Sequence, residues 1–395
     1  MPWTLRMTLL ITGLTAVCMI YNIARLYWYS RQTGLHSPQT FWALCIGAVV
    51  LIFSYPLSGW LIYLSAGSFS REWFPVWMIV LFWYGFIFNA ILLTWILALD
   101  LINLIVTRLF KIKRPQLQTI FGLGAVFITV SVFLFTAVKA TCDTYRVNAD
   151  QISFEKASVY SDGQEPMRIV HISEIHADRY TTPARMDRYM QKVREAKPHI
   201  VLITGDLISS GLDYLEVAAD AVSSVHPPLG VHFVMGDHDF WSGQDQIAEA
   251  LESRGVNVIR DSNEWLELGD QSIKITGVTE VYSRSIDRSL LRELLEESRH
   301  EQVSILFSHQ APDDMIDLAR ESGTDILLAG HTHGGQIRIP VFFKKLTAAS
   351  METDYVLGHW LLDEMLLNIN SGLGFTLAPI RYNAPAEVSV IEVNL

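Results

Sequence analysis

Four long apolar runs fill the first third of the chain: Met7–Leu26, Phe41–Leu64, Phe74–Leu99 and Leu117–Val138. Each has about the 20 residues that a helix needs to cross the hydrocarbon core of a bilayer. Trp42, Trp73 and Trp77, with Tyr27, Trp28 and Tyr29, stand near the ends of the runs, where aromatic belts meet the membrane–water interface. The pattern predicts four transmembrane helices within residues 1–142. No small-residue cleavage site follows the first run, and three more spans come after it, which argues against a removed leader.

From about Thr144 the pattern changes. Short apolar runs now alternate with amphipathic stretches, the signature of βα units. Strands are predicted at Gln151–Ala157, Met167–Ile172, Ile200–Thr204, Val231–Met235, Val256–Ile259, Ile273–Thr276, Val303–Phe307 and Ile326–Ala329. The tail adds Gln336–Ile339, Leu366–Ile369 and Val388–Val393. Helices are predicted from Pro183 to about Ala196, and at Leu212–Val225, Gln244–Arg254, Asp287–Ser298 and Asp313–Arg320. Residues 143–166 read as a linker with a first strand, and 167–395 as a layered α/β domain.

Composition sharpens this picture in three ways. A mean hydropathy of +0.26 is high for a soluble protein, and the excess lies in the four runs. The net charge of −11 argues against a nucleic-acid partner. Cys18, Cys45 and Cys142 all precede the polar half, which therefore has neither a disulfide framework nor a thiolate metal site.

Lysine and arginine set the expected orientation. Arg108, Lys111, Lys113 and Arg114 lie between the third and fourth spans, and Arg25 and Arg31 lie around the first loop. The other side carries Arg6, Arg71, Lys139 and Arg146. The heavier side is expected in the cytoplasm, which puts both termini outside. In a bacterial cytoplasmic membrane the polar domain is then extracytoplasmic. Asp100 and Asn103, near the end of the third span, read as interfacial residues rather than a transport path.

The candidate chemistry sits at strand ends. Ser173-Glu174-Ile175-His176 follows the Met167 strand, Gly205-Asp206 the Ile200 strand, and Gly236-Asp237-His238-Asp239 the Val231 strand. Ser308-His309 follows the Val303 strand, and Gly330-His331-Thr332-His333-Gly334-Gly335 the Ile326 strand. Open α/β sheets bind ligands at the carboxyl ends of their strands, so these side chains should converge. One Gly-Asp after a strand is usually a turn. Five strand ends bearing metal-competent side chains are not explained as turns.

This series resembles the motifs of the calcineurin-like metallophosphoesterases over roughly Met167 to the C-terminus. GHTHGGQ, together with Asn370-Ser371-Gly372-Leu373-Gly374 and Pro379-Ile380-Arg381, is similar to their membrane-associated bacterial branch, which includes UDP-2,3-diacylglucosamine pyrophosphatase-like proteins. The resemblance implies a two-sheet sandwich flanked by helices, an αββα arrangement, with two divalent metal ions. It implies that Glu174, His176, Asp206 and His333 hold the first ion. Asp206 would bridge to a second, held also by Asp237, His309 and His331. It further implies in-line attack by a metal-bound hydroxide, with His238 stabilising phosphoryl oxygens or protonating the leaving group and Asp239 orienting His238.

Two positions depart from the family pattern: Glu174 stands for Asp, and Asp237 for Asn. Three carboxylates against two divalent ions leave a net charge of about +1 rather than about +2. That should favour a hard ion such as Mn²⁺, with Zn, Fe or Mg as the alternatives, hold it firmly and attract phosphate less. Two function classes stay open: a membrane-anchored metal-dependent phosphoesterase, and a non-catalytic sensor or accessory protein that binds metal and a phosphorylated ligand. Pro340-Val341-Phe342-Phe343-Lys344-Lys345 reads either as a lip touching lipid or as a buried strand ending in a turn. The lip reading predicts membrane lipid as a partner and a phosphorylated, lipid-linked substrate. The sequence does not determine the oligomeric state.

Overall fold

Four helices open the chain: α1 (Trp3–Thr33), α2 (Pro38–Ala66), α3 (Val76–Leu109) and α4 (Arg114–Tyr145). The structure is a computed structural model that describes residues 1–33, 37–109, 114–155, 165–269, 271–341 and 344–394. All four helices are long and apolar enough to cross a membrane, and each runs beyond its apolar core. Ser37 starts α2 by accepting the Thr40 N–H at 3.2 Å, with Pro38 in the first turn where it lacks no needed donor. Gly67, at φ 69°, ends it in the left-handed region.

Large apolar side chains such as Val17, Leu44, Leu101 and Phe127 are exposed along these helices, the expected state of lipid-facing positions. Polar pairs lie between them. Asn22 donates to the Asn89 carbonyl at 2.9 Å, and Asp100 accepts from Arg25 Nε at 2.8 Å, Tyr21 at 2.7 Å and Tyr29 at 2.6 Å. Asp100 is thus tied to three residues of α1, a structural role that leaves no need for a transport path.

The remaining elements follow in chain order. The first strands and helices are β1 (Val147–Glu155), β2 (Met167–Ile172), α5 (Pro183–Glu195), β3 (Ile200–Ile203), α6 (Leu215–Ser223), β4 (Val231–Phe233) and α7 (Asp237–Glu252). Then come β5 (Asn257–Val258), β6 (Ser262–Leu268), β7 (Gln271–Val278), α8 (Arg288–Glu296), β8 (Val303–Ser308), α9 (Asp313–Glu321) and β9 (Ile326–Ala329). Last are β10 (Ile339–Val341), β11 (Lys344–Leu346), β12 (Gly358–Leu362), β13 (Met365–Ile369) and β14 (Ala386–Asn394).

Two six-stranded sheets result, ordered β1-β14-β2-β3-β4-β5 and β12-β13-β9-β8-β7-β6. Alternation along the strands builds the layers. Ile169, Ile200, Ile305, Phe307 and Leu328 face the core between the sheets. Val170 and Ile172 pack with Met190 of α5, Val222 of α6 and Leu251 of α7. Leu306 and Leu327 pack with Leu291 of α8 and Met315 of α9. The order is helices, sheet, sheet, helices, the αββα sandwich.

The chain divides into two compact units. One holds Met1–Thr144 with Ile337–Leu346 and Leu377–Asn383; the other holds Tyr145–Gln336, Thr347–Thr376 and Ala384–Leu395. The first therefore includes the β10–β11 hairpin.

Several boundaries differ from expectation. Helix α4 runs to Tyr145 and β1 starts at Val147, so the first strand begins four residues before Gln151; Ala157 falls in the undescribed 156–164. Helix α7 begins at Asp237 rather than Gln244, with a break at Gly243 (φ 142°). Asp237 and Asp239 occupy its first turn, where the helix dipole favours carboxylates. The strand expected at Gln336 begins at Ile339, because Gly334, Gly335 and Gln336 all take positive φ. Strands β6, β11 and β12 were not predicted. Phe342 and Phe343, the centre of the lip reading, lie outside the described residues, as do Lys111 and Lys113.

Candidate metal centre

Strands β2, β3 and β4 run parallel in one sheet and β8 and β9 parallel in the other, so their carboxyl ends deliver side chains to one place. The loops there are backbone-linked. Glu174 N–H donates to the Gly205 carbonyl at 3.1 Å, His176 N–H to the Asp206 carbonyl at 2.9 Å, and Gly330 N–H to the His309 carbonyl at 3.0 Å. Glu174, His176, Asp206, His331 and His333 all have positive φ, between 45° and 65°. That conformation costs a side-chain-bearing residue about 1–2 kcal/mol. Five such residues in one site mark a place where aim is favoured over backbone comfort.

Seven side chains converge. In one group His176 Nε2 and His333 Nε2 lie 3.1 and 3.0 Å from Glu174 Oε2, and 3.1 Å from each other. In the other, His309 Nε2 and His331 Nδ1 lie 3.2 and 3.1 Å from Asp237 Oδ2, and 3.2 Å from each other. Asp206 Oδ2 links them, at 3.3 Å from His176 Nε2 and 3.7 Å from His309 Nε2. Donors held about 2.0–2.2 Å from one ion lie roughly 3.0–3.5 Å apart, so these spacings fit a cation in each group.

Electrostatics make the same case. Glu174, Asp206 and Asp237 are each at most 2% exposed. Burial pushes their pKa values up, yet the neighbouring histidines hold all three below the ordinary carboxylate range. Burial likewise opposes charge on His309, but Asp206, Glu174 and Asp237 raise it well above the usual imidazole value. Three buried carboxylates sharing one cavity call for positive charge, and divalent ions supply it.

The supporting contacts fix which atom each ligand presents. His309 Nδ1 donates to the Thr204 carbonyl at 2.8 Å, leaving Nε2 for the centre. Asp206 Oδ1 accepts the His238 N–H at 2.8 Å, leaving Oδ2. Glu174 Oε1 accepts the His331 N–H at 2.7 Å, leaving Oε2. The other nitrogen of His331, Nε2, lies 3.2 Å from Glu352 Oε2 and 3.1 Å from the Tyr282 hydroxyl.

His238 and Asp239 stand differently from each other. The His238 ring packs edge-on against His176, with centroids 4.6 Å apart, and its Nδ1 hydrogen-bonds the Ser209 carbonyl. Asp239 does not orient that ring. Its carboxylate accepts backbone N–H groups from Leu207 at 2.9 Å, Ile208 at 3.3 Å and Gly236 at 3.1 Å. It therefore ties the Asp206 loop to the Gly236 loop, and the Ser209 carbonyl does the orienting. The reason is helical geometry: adjacent positions at the start of α7 point in different directions.

Residues 167–335 match the family of calcineurin-like phosphoesterases. The chain carries a calcineurin-like phosphoesterase domain. It is a metal-dependent phosphoesterase, and its substrate is phosphorylated. The chain is also similar to several others. An uncharacterised metallophosphoesterase of Campylobacter jejuni is 25% identical over 95% of this chain and 96% of its own length. The uncharacterised protein YpbG of Bacillus subtilis is 27% identical over 58% of this chain and 82% of its own. A zebrafish transmembrane protein with metallophosphoesterase domain is 26% identical over 67% of this chain and 62% of its own. The four helices long and apolar enough to cross a membrane fit the transmembrane character named for that relative.

Some residues of the phosphoesterase centre escaped the sequence. Gln310 donates to Asp237 Oδ2 at 2.8 Å and the Tyr282 N–H to Asp237 Oδ1 at 2.6 Å. Gly372 abuts Glu174: a Cβ there would lie 2.3 Å from Glu174 Cβ and 2.8 Å from its Cγ. The missing side chain leaves room for the first two carbons of the Glu174 side chain. Gln310 was findable as the neighbour of His309. Tyr282 and Glu352 had no local signal.

Proposed function

We propose that this protein is a membrane-anchored phosphoesterase in which two divalent ions act on a phosphomonoester, phosphodiester or pyrophosphate of an amphipathic, lipid-linked substrate. The observation that carries this reading is the meeting of two three-donor groups across Asp206 Oδ2. Glu174, His176, Asp206 and His333 would hold one ion; Asp206, Asp237, His309 and His331 the other. When bound, two such ions activate water and neutralise charge on the transferring phosphoryl group. Each ion would meet two imidazole nitrogens and two carboxylate oxygens, and the added carboxylate of Asp237 favours manganese.

The chain's own groups supply the rest. His238 engages Ser209 through Nδ1, so Nε2 is the atom that can exchange a proton with substrate. Burial lowers its pKa below the ordinary imidazole value. Asp239 keeps the Asp206 and Gly236 loops in register. The complete donor set supports hydrolysis over binding alone.

The lipid-linked part rests on the four helices and on Ile337–Leu346, a segment grouped with them that begins four residues after His333 in the chain. The Lys and Arg distribution supports a bacterial cytoplasmic membrane with the catalytic domain outside. The test is phosphate release by the full chain in detergent with Mn²⁺, comparing short-chain phosphatidic acid with glycerol 3-phosphate. Faster turnover of the lipid supports the reading, and equal or faster turnover of the soluble ester removes its lipid part.

A further inference from the structure

The ligand groups are closed to solvent except on the side of His238 and His331, which are part-buried. Two large aromatic residues stand on that side, Trp241 at 56% and Tyr282 at 59% exposure. They form a continuous strip with the two histidines. Ring centroids lie 5.4 Å apart from His238 to Trp241, 6.5 Å from Trp241 to Tyr282, and 5.0 Å from Tyr282 to His331. The Trp241 and Tyr282 planes are parallel to within 5°.

Both rings are held by their polar ends. Trp241 Nε1 donates to Ser283 Oγ at 2.6 Å, and the Tyr282 hydroxyl lies 3.1 Å from His331 Nε2. The backbone beneath is fixed as well: the Tyr282 N–H reaches Asp237 at 2.6 Å, and Val281 and Arg284 exchange two hydrogen bonds at 2.9 and 3.0 Å. Anchored rings bind without first giving up rotamer freedom. More than half of each residue's surface stays exposed beside the buried ionic centre.

We propose that Trp241 and Tyr282 form a subsite for a flat ring carried by the group esterified to the phosphate, so that the substrate class is a ring-bearing phosphoester. Two exposed, parallel aromatic rings offer flat surface that a planar partner matches; an alkyl chain would be served as well by aliphatic side chains. This inference rests on the metal-centre reading above. It adds which group lies beside the phosphate and what recognises it.

The test uses the Mn²⁺-loaded full chain in amphipol and three phosphonates, with affinities from calorimetry. Methylphosphonate reports the metal centre alone; benzylphosphonate and cyclohexylmethylphosphonate differ only in ring flatness. The expected result is benzylphosphonate binding about fivefold or more tighter than its cyclohexyl counterpart, the low end of base–aromatic stacking. Trp241→Leu should erase that preference and leave methylphosphonate binding unchanged. Equal affinity of the two ring compounds, or a preference that survives Trp241→Leu, overturns the subsite while the metal centre stands. Failure of all three to bind overturns the metal-centre reading itself.

Discussion

Replacing Asp237 by asparagine pits the local hydrogen bonding against the charge arithmetic. On charge alone, removing one carboxylate should restore pull on phosphate and raise turnover. The structure points the other way. Asp237 Oδ1 accepts the Tyr282 N–H at 2.6 Å, and Oδ2 accepts Gln310 Nε2 at 2.8 Å while facing His309 and His331. Both oxygens are acceptors, and the residue is 2% exposed. Asparagine keeps one acceptor and turns an NH₂ toward a donor, whichever way it is flipped. A buried donor left without an acceptor costs about 1–3 kcal/mol. That is about 5- to 150-fold in an equilibrium constant. Asp237→Asn should therefore weaken the ion held with His309 and His331 by such a factor and lower turnover with it. Metal titration by calorimetry and hydrolysis of bis-p-nitrophenyl phosphate by the full chain read the two effects. Turnover that rises, with both ions still bound, would refute the hydrogen-bond argument.

Other consequences follow from particular contacts. Gly372→Ala should displace Glu174 and reduce metal content, because the added Cβ meets Glu174 Cβ and Cγ; metal analysis of the purified variant decides, and unchanged metal content would contradict it. Arg25→Ala and Asp100→Ala should each lower the melting temperature in detergent, and the double variant should lose less than the two losses added, because a lone charge left among the helices is worse than none. Additive losses would show that the pair is uncoupled. Burial holds His171 at a pKa of about 4, against about 6.5 in an unfolded chain. Between those values the unfolded chain binds the extra proton, so stability present above pH about 6.5 is lost as pH falls toward 4, by at most about 3 kcal/mol. His171→Gln should flatten that part of the pH dependence in chemical denaturation; parallel profiles would contradict it.

Much of this was legible before the structure. Strands Met167–Ile172 and Ile326–Ala329 were bounded correctly, the first as a mostly apolar stretch ending at Ser173-Glu174 and the second as a continuous apolar run ending at Gly330-His331. The seven metal-competent side chains converge because parallel strands put consecutive carboxyl ends on one edge. What stayed hidden depends on contacts distant in the chain. Asp239 follows His238 directly, yet it binds backbone thirty-two residues earlier, at Leu207. Gly372 makes room for Glu174 across 198 positions, a contact no local pattern encodes. Trp241 and Tyr282, 41 positions apart, carry no local motif; the α7 start and the Val281–Arg284 turn bring their rings together. Strands β6 and β12 carry charged or partly exposed side chains and lack a clean apolar face, which is how edge strands avoid notice.

The most direct test of the central claim is metal stoichiometry measured with turnover. The metal-stripped full chain in detergent would be titrated with Mn²⁺ while hydrolysis of bis-p-nitrophenyl phosphate is followed, beside Asp206→Asn. The account predicts activity that rises to a plateau at two ions per chain and is absent in the variant, which loses the oxygen shared by both groups. Full activity without added metal, or a variant as active as the parent, would contradict it.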